Sequence, residues 1–320
     1  MSSTVQLSTE LIHKLLRSVS VNRADKLDTL LAETAPIFLM DSEVEQNLFL
    51  AKLGNPNIIK CGLKCSIRLQ AHAYAAGVIC SAFGTIGFET MAKAEREVLL
   101  APADPFLTWA VGLDLQRELA KRNILLSPDL ILPGGISSLP DDLLKSLNSR
   151  QRILGEGLFR YATAFILLHE IGHLKFKHSE STYENEKFAD RFAAEWLSEA
   201  AFSSSSENME GNRLSALLGI AVALLWLTVF NFYFGMKKSK SHPEGYDRLY
   251  QVLEQVIDQG NEDEHKLVWW VVATLLFIHM DSAGFDFDID FDAARLQGSQ
   301  QESANYLIDR IANWDRKRTT

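Results

Sequence analysis

Residues Phe165 to Phe176 read FILLHEIGHLKF, an apolar run that sets two histidines and a glutamate where a chain would otherwise bury only hydrocarbon. Burying a polar side chain without a partner is costly. Whatever this segment packs into must therefore also satisfy His169, Glu170 and His173. On a helix, positions four apart share a face, so His169 and His173 present two imidazoles side by side from a rigid scaffold. Two imidazoles so placed grip one metal ion. Glu170, next to the first, can hydrogen-bond a water on that metal without binding the metal itself, which is what a general base needs. Chance alone yields His-Glu-x-x-His in on the order of one percent of chains of this length. The competing account is a pair of core histidines bonded to backbone carbonyls.

A catalytic zinc takes three protein ligands and leaves one position for water. In the metzincin pattern the third ligand would be a histidine six residues after His173, preceded by a glycine. Those places hold Ser179 and Phe176, and His178 is out of register. The next segment, YENEKFADRFAAEWL, offers Glu186 and Asp190 four apart on one helical face. Glu186 is favoured over Glu180 and Glu184 because it alone has that partner aspartate. Asp190 would accept a hydrogen bond from the distal nitrogen of one ligated histidine and so fix its tautomer. A solvated helix face is the bland alternative. Farther on, SKSHPEGYDRL carries His242 in a Ser-His-Pro turn, where it could donate to the oxyanion formed during peptide hydrolysis. Tyr246 is a rival donor, and an ordinary surface histidine is the third possibility.

The rest of the 320-residue chain bounds the setting. Nearly half of it, 47%, is apolar, ample for a sizeable core. A net charge of −9 argues against a phosphate-backbone binder, so no nucleic-acid partner is expected. Cys61, Cys65 and Cys80 lack metal-site spacing and read as buried thiols. The N-terminus shows no basic region leading into a long apolar stretch, which favours a cytoplasmic protein.

Helical periodicity spans about 6–50, 69–83 and 107–121, then 143–176 and onward to about 202. The stretch SPDLILPGGISSLP, 127–140, suits a loop or a short edge strand. A strand that holds a peptide is expected near 127–143. The expected fold is mainly α, as α+β with a small edge sheet, divided into a helical N-terminal region (1–142) and a metallopeptidase core (143–320). In FDFDIDFDAARL, Asp286, Asp288, Asp290 and Asp292 fall on one face if extended, and a solvated strand face is expected there. A calcium loop is ruled out by Phe291 and Gln297 where glycine and glutamate are needed.

Leu214 to Met236 is uncharged and long enough to span a bilayer, with Lys237, Lys238 and Lys240 after it. A single span would leave Glu186 and His242 on opposite sides of the membrane. Thr228 and Asn231 also suit a buried helix. Two core helices, this one and Leu267 to Met280, are therefore expected in preference to insertion, with association at the inner membrane as the alternative.

His-Glu-x-x-His, then Glu-x-x-x-Asp on the next helix, an apolar helix, and His-Pro followed by Asp-Arg-Leu resembles the order in Glu-zincin peptidases of the HtpX and CAAX-prenyl-protein kinds. In length and texture the chain resembles the Lit-type phage-exclusion peptidases of bacteria, over about Leu154 to Leu253 and more weakly in the N-terminal half. That resemblance implies one catalytic Zn2+ held by His169, His173 and Glu186, with Glu170 as base. It also implies an endopeptidase in antiviral defence, latent until a phage-derived activator appears, whose substrate is a translation factor such as elongation factor Tu. Two alternatives accompany it: a membrane-associated HtpX-like quality-control protease, and a non-hydrolytic zinc-containing interaction module.

Overall fold

The computed structural model describes residues 4–41, 49–86, 92–112, 139–180, 182–202, 209–233, 245–257 and 261–282, with a few isolated positions from 302 to 309. Strand β1 (Thr4–Gln6) leads into helices α1 (Thr9–Val19) and α2 (Ala24–Thr34), followed by strands β2 (Pro36–Asp41), β3 (Phe49–Lys52) and β4 (Asn57–Gly62). Then come helices α3 (Leu63–Phe83), α4 (Lys93–Leu100), α5 (Asp104–Gly112), α6 (Asp141–Lys145), α7 (Ser149–Lys175) and α8 (Tyr183–Phe202). The series closes with α9 (Met209–Tyr233), α10 (Gly245–Val256) and α11 (Glu262–Ser282). The architecture is mainly helical with one small sheet, as expected from the sequence.

The sheet is four-stranded in the order β1-β2-β4-β3, so β3 is an edge among the described residues. β2 and β4 run parallel, with Phe38 opposite Ile59, whereas β1 and β3 pair antiparallel to their neighbours. Its position corrects the expectation of continuous helical pattern over 6–50. After α2 the chain turns through Ala35, at φ 37° and capping the Leu31 carbonyl, and Pro36 follows, which cannot continue a helix. The apolar residues beyond it, Ile37 to Met40, serve as strand. The call of 127–140 as a loop or edge strand falls largely outside the described residues, as do Asp286, Asp288, Asp290 and Asp292.

Helix α7 organises the interior. Asn148 accepts from the Gln151 backbone N–H at 2.9 Å, and the Gln151 side chain accepts from the Asn148 N–H at 3.0 Å. This reciprocal cap starts the helix, so the single helix expected over 143–176 is two, with α6 set apart before the cap. α7 then runs 27 residues with buried positions on several sides, from Leu158 and Phe159 to Leu168 and Ile171. A helix buried on several sides must be covered on several sides, and α3, α8, α9 and the sheet supply the cover.

Close approach to α3 requires small residues. A Cβ at Gly77 would lie 2.5 Å from the Gly155 nitrogen and 2.8 Å from its Cα, both backbone atoms that cannot swing aside. Helix α9 includes the one described stretch, Gly211–Val229, that is long and apolar enough to cross a bilayer, and 72% of its membrane-length window is buried inside the protein. α11 packs on α3, α5 and α9. Cys61, Cys65 and Cys80 are free thiols.

Where α3 meets α11, His72 and His279 are buried with ring centroids 5.2 Å apart. Burial pushes the His72 pKa down to about 4, against a bond to the Arg68 carbonyl that favours the charged form. A histidine whose folded pKa lies below its unfolded value contributes full stability above the unfolded pKa, and that stability is lost as pH falls toward the folded one. Urea unfolding at pH 7 and pH 5 should therefore show a loss of about 2 kcal/mol that traces to His72. His72→Phe should lose correspondingly less over the same interval, and an identical loss in both proteins would contradict a neutral buried His72. For the helix crossing, Gly77→Ala should cost about 1–3 kcal/mol in the same assay at pH 7, whereas an unchanged midpoint would mean that the helices part freely.

Candidate metal centre

The last turns of α7 and the first of α8 meet where the sequence put its polar residues. Gly172 allows it: a Cβ there would come within 3.1 Å of the Phe192 ring and 3.6 Å of the Ala189 Cα, so the two helices are nearly in contact at the motif. From α7, His169 and His173 turn their Nε2 atoms toward each other at 3.1 Å. From α8, Glu186 places Oε2 3.4 Å from His169 Nε2 and Oε1 3.5 Å from His173 Nε2. Ligands on a tetrahedral zinc, at about 2.0–2.1 Å from it for histidine, stand roughly 3.3 Å from one another. The three donors therefore fit one ion. Glu180 and Glu184, the competing carboxylates, are exposed and outside this cluster.

Asp190 lies one turn beyond Glu186, its Oδ1 2.8 Å from His169 Nδ1, a close ionic contact that is not aligned as a hydrogen bond. The sequence leads one to expect Asp190 to accept a hydrogen bond from a ligated histidine; the structure brings it against His169 without that alignment. The sequence did not single out what holds Asp190. Arg248, near the start of α10, donates from Nε to Asp190 Oδ2 at 2.7 Å and from Nη2 to Oδ1 at 2.6 Å, and its Nη1 is 3.8 Å from Glu186. A two-pronged guanidinium–carboxylate pair is strong and directional. Its sequence signal was slight, a lone arginine in GYDRL on the buried face of an amphipathic helix.

Glu170 is buried beside the cluster, and its Oε2 accepts a 2.6 Å hydrogen bond from the backbone N–H of Ala51 in β3. The strand that reaches the site thus comes from 49–52, far upstream of where a peptide-holding strand was expected. No local pattern marks it, because the contact spans 119 positions of sequence. His242 is outside the described residues, as is the side chain of its rival Tyr246.

The electrostatics favour positive charge at this point. Burial disfavours a charged His169, yet Asp190 and Glu186 more than offset it and push its pKa up to about 10. His173 moves the other way, down to about 3, through burial and the neighbouring His169. Burial would raise Glu186, but the two histidines and Arg248 hold it well below the usual carboxylate range. Asp190 is held low despite burial by Arg248 and His169. Glu170 is raised, chiefly by burial. As metal ligands both imidazoles would be neutral, and among the described residues the carboxylates of Glu170, Glu186 and Asp190, when ionised, would then exceed the Arg248 guanidinium by two charges. A divalent cation among the donors would balance them.

Residues 118–272 match the family model described as Peptidase U49. The matched segment contains the metal-donor cluster, Glu170, Asp190 and Arg248, while β3 lies outside it. That similarity supports a peptidase family, hence a hydrolase acting on protein. No curated protein and no solved structure matches the chain.

Removing Arg248 would strand Asp190 beside Glu186 without its counter-charge. Arg248→Met should destabilise the protein by about 3–5 kcal/mol. Chemical denaturation at pH 7 measures this, and a loss under about 1 kcal/mol would show that the pair is not holding the site.

Proposed function

We propose that this chain is a zinc-dependent endopeptidase that cleaves a specific intracellular protein. The observation that carries the proposal is a buried donor set, His169, His173 and Glu186, that fits one tetrahedral ion, with the free-standing carboxylate of Glu170 beside it. Three protein ligands with a fourth position open describe a catalytic site; a structural zinc is closed by four. When bound, zinc supplies a lowered pKa for a coordinated water and polarises the scissile carbonyl.

The chain's own residues do the rest. Glu170 takes the proton of the attacking water and delivers it to the leaving amine. Its raised pKa suits that exchange, since a base that must also act as acid works best with a pKa drawn toward neutrality. The Ala51 N–H fixes one oxygen of Glu170 and leaves the other to carry the proton. Substrate pairing along β3, the sheet's edge among the described residues, would use backbone groups other than the Ala51 N–H, which Glu170 holds. Asp190, gripped by Arg248, orients His169. His242 is the proposed oxyanion donor, with Tyr246 its rival.

Location and target follow the resemblance of the motifs to Lit-type peptidases. We place the enzyme in the cytoplasm, with α9 a core helix, since 72% of its membrane-length window is buried inside the protein. Elongation factor Tu is the first substrate to test and a phage-derived component the first activator.

Terminal-labelling proteomics in a bacterial host, with and without phage infection, provides the test. New protein termini should appear with the wild-type chain and disappear with Glu170→Gln, whose activity should fall by roughly 10²–10⁴-fold while zinc remains bound at one equivalent. His169→Ala should lose both zinc and activity. Glu170-dependent termini confined to membrane proteins, with extraction requiring detergent, would favour the HtpX-like alternative. Zinc bound without any Glu170-dependent cleavage would favour the interaction module.

A further inference from the structure

The way α7 stops brings a third imidazole against the donor cluster. Past the helix end, Lys177 adopts φ 55°. Its N–H donates to the Leu174 carbonyl at 3.2 Å, and the His178 N–H donates to the His173 carbonyl at 3.0 Å. These two bonds are the paired closure of a helix by a left-handed residue. The closure folds the second residue past the cap back over the third residue before it, where an apolar contact commonly forms. Here the two residues are His178 and His173.

Their Nδ1 atoms lie 3.0 Å apart in hydrogen-bonding geometry. His173 turns Nε2 into the cluster, so as a neutral ligand it must carry its hydrogen on Nδ1. Nδ1 of His173 therefore donates and Nδ1 of His178 accepts. The His178 ring is held for this: it stacks on Phe176 and meets the edge of Phe188, both with centroids 6.0 Å away. Phe188 belongs to α8, two residues past Glu186, so the same helix that supplies the carboxylate donor also walls in His178.

We propose that His178 is a positioning residue of the metal centre, the acceptor that fixes the tautomer and ring plane of His173, on the side of that ring away from the donors. The proposal rests on the metal-site assignment above. It gives the two histidine ligands unlike partners: His169 is backed by an anion, and His173 by a neutral ring that draws no charge toward the metal. His178 is not itself one of the grouped donors, which are His169, His173 and Glu186.

The test uses the full chain and Zn2+ as the probe, titrated in competition with a chromogenic chelator. His178→Phe keeps the aromatic packing and loses the acceptor, and His178→Ala serves the same purpose should the larger ring fail to fit. His178→Asn keeps an acceptor oxygen near the place of Nδ1. Loss of an outer partner typically weakens metal binding by about 10–100-fold. His178→Phe and His178→Ala should show that loss with an unchanged circular-dichroism spectrum, and His178→Asn should bind within a few-fold of wild type. Wild-type affinity in His178→Phe, or an equal loss in His178→Asn, would overturn the positioning role and leave the metal site standing. Wild-type protein that binds Zn2+ no better than His173→Ala would remove the metal-site assignment, and this inference with it.

Discussion

Arg248 and Asp190 meet in a two-pronged ion pair with almost no water around them, and the shape of the donor cluster depends on that pair. An unpaired aspartate at this depth would pick up a proton or disrupt its surroundings. Held by the guanidinium it stays ionised, and so it faces His169 Nδ1 as an anion. Arg248 also stands near Glu186, reducing the repulsion between the two carboxylates of α8. Buried ion pairs are poor sources of stability compared with apolar packing of the same volume. Keeping one here makes physical sense if its role is to prepare charge for a cation, and the low position of Glu186 and the high position of His169 both express that field.

The scaffold around this pair is arranged so that three distant parts of the chain converge. Small residues let helices touch where the site needs them: Gly172 brings α8 against the motif, and Gly77 with Gly155 seats α3 along α7. The sheet, formed from the first 62 residues of the chain, presents its edge strand to Glu170. The segment similar to a peptidase family carries the candidate donors, and the preceding N-terminal part supplies the backbone group that holds Glu170. A buried carboxylate held at one oxygen has a defined geometry before any substrate arrives, which is the preorganisation that the proposed proton transfer would use.

Much of the helical layout was legible because periodicity and caps are local. The runs that became α8, α9 and α11 carry their own apolar patterns, whereas the cap at Asn148 and Gln151 divides what reads as a single helix over 143–176. The strands do not stand out in the sequence: they are short, and the apolar residues of β2 also fit a helical stripe until Pro36 is weighed as a stop. Arg248 was visible but mute. A single arginine on an amphipathic helix acquires meaning only when a buried carboxylate from another helix stands opposite it.

By itself, the sequence paired candidate donors along each helix. Spacing of four along a helix is a local property, so His169 with His173, and Glu186 with Asp190, were paired before any fold was known. Which carboxylate closes the cluster, what steadies each histidine and which strand reaches Glu170 were decided by tertiary structure. Those contacts join residues 5 to 119 positions apart through the packing of α7, α8, α10 and β3, and no local periodicity records a distance that only close-packed side chains can set.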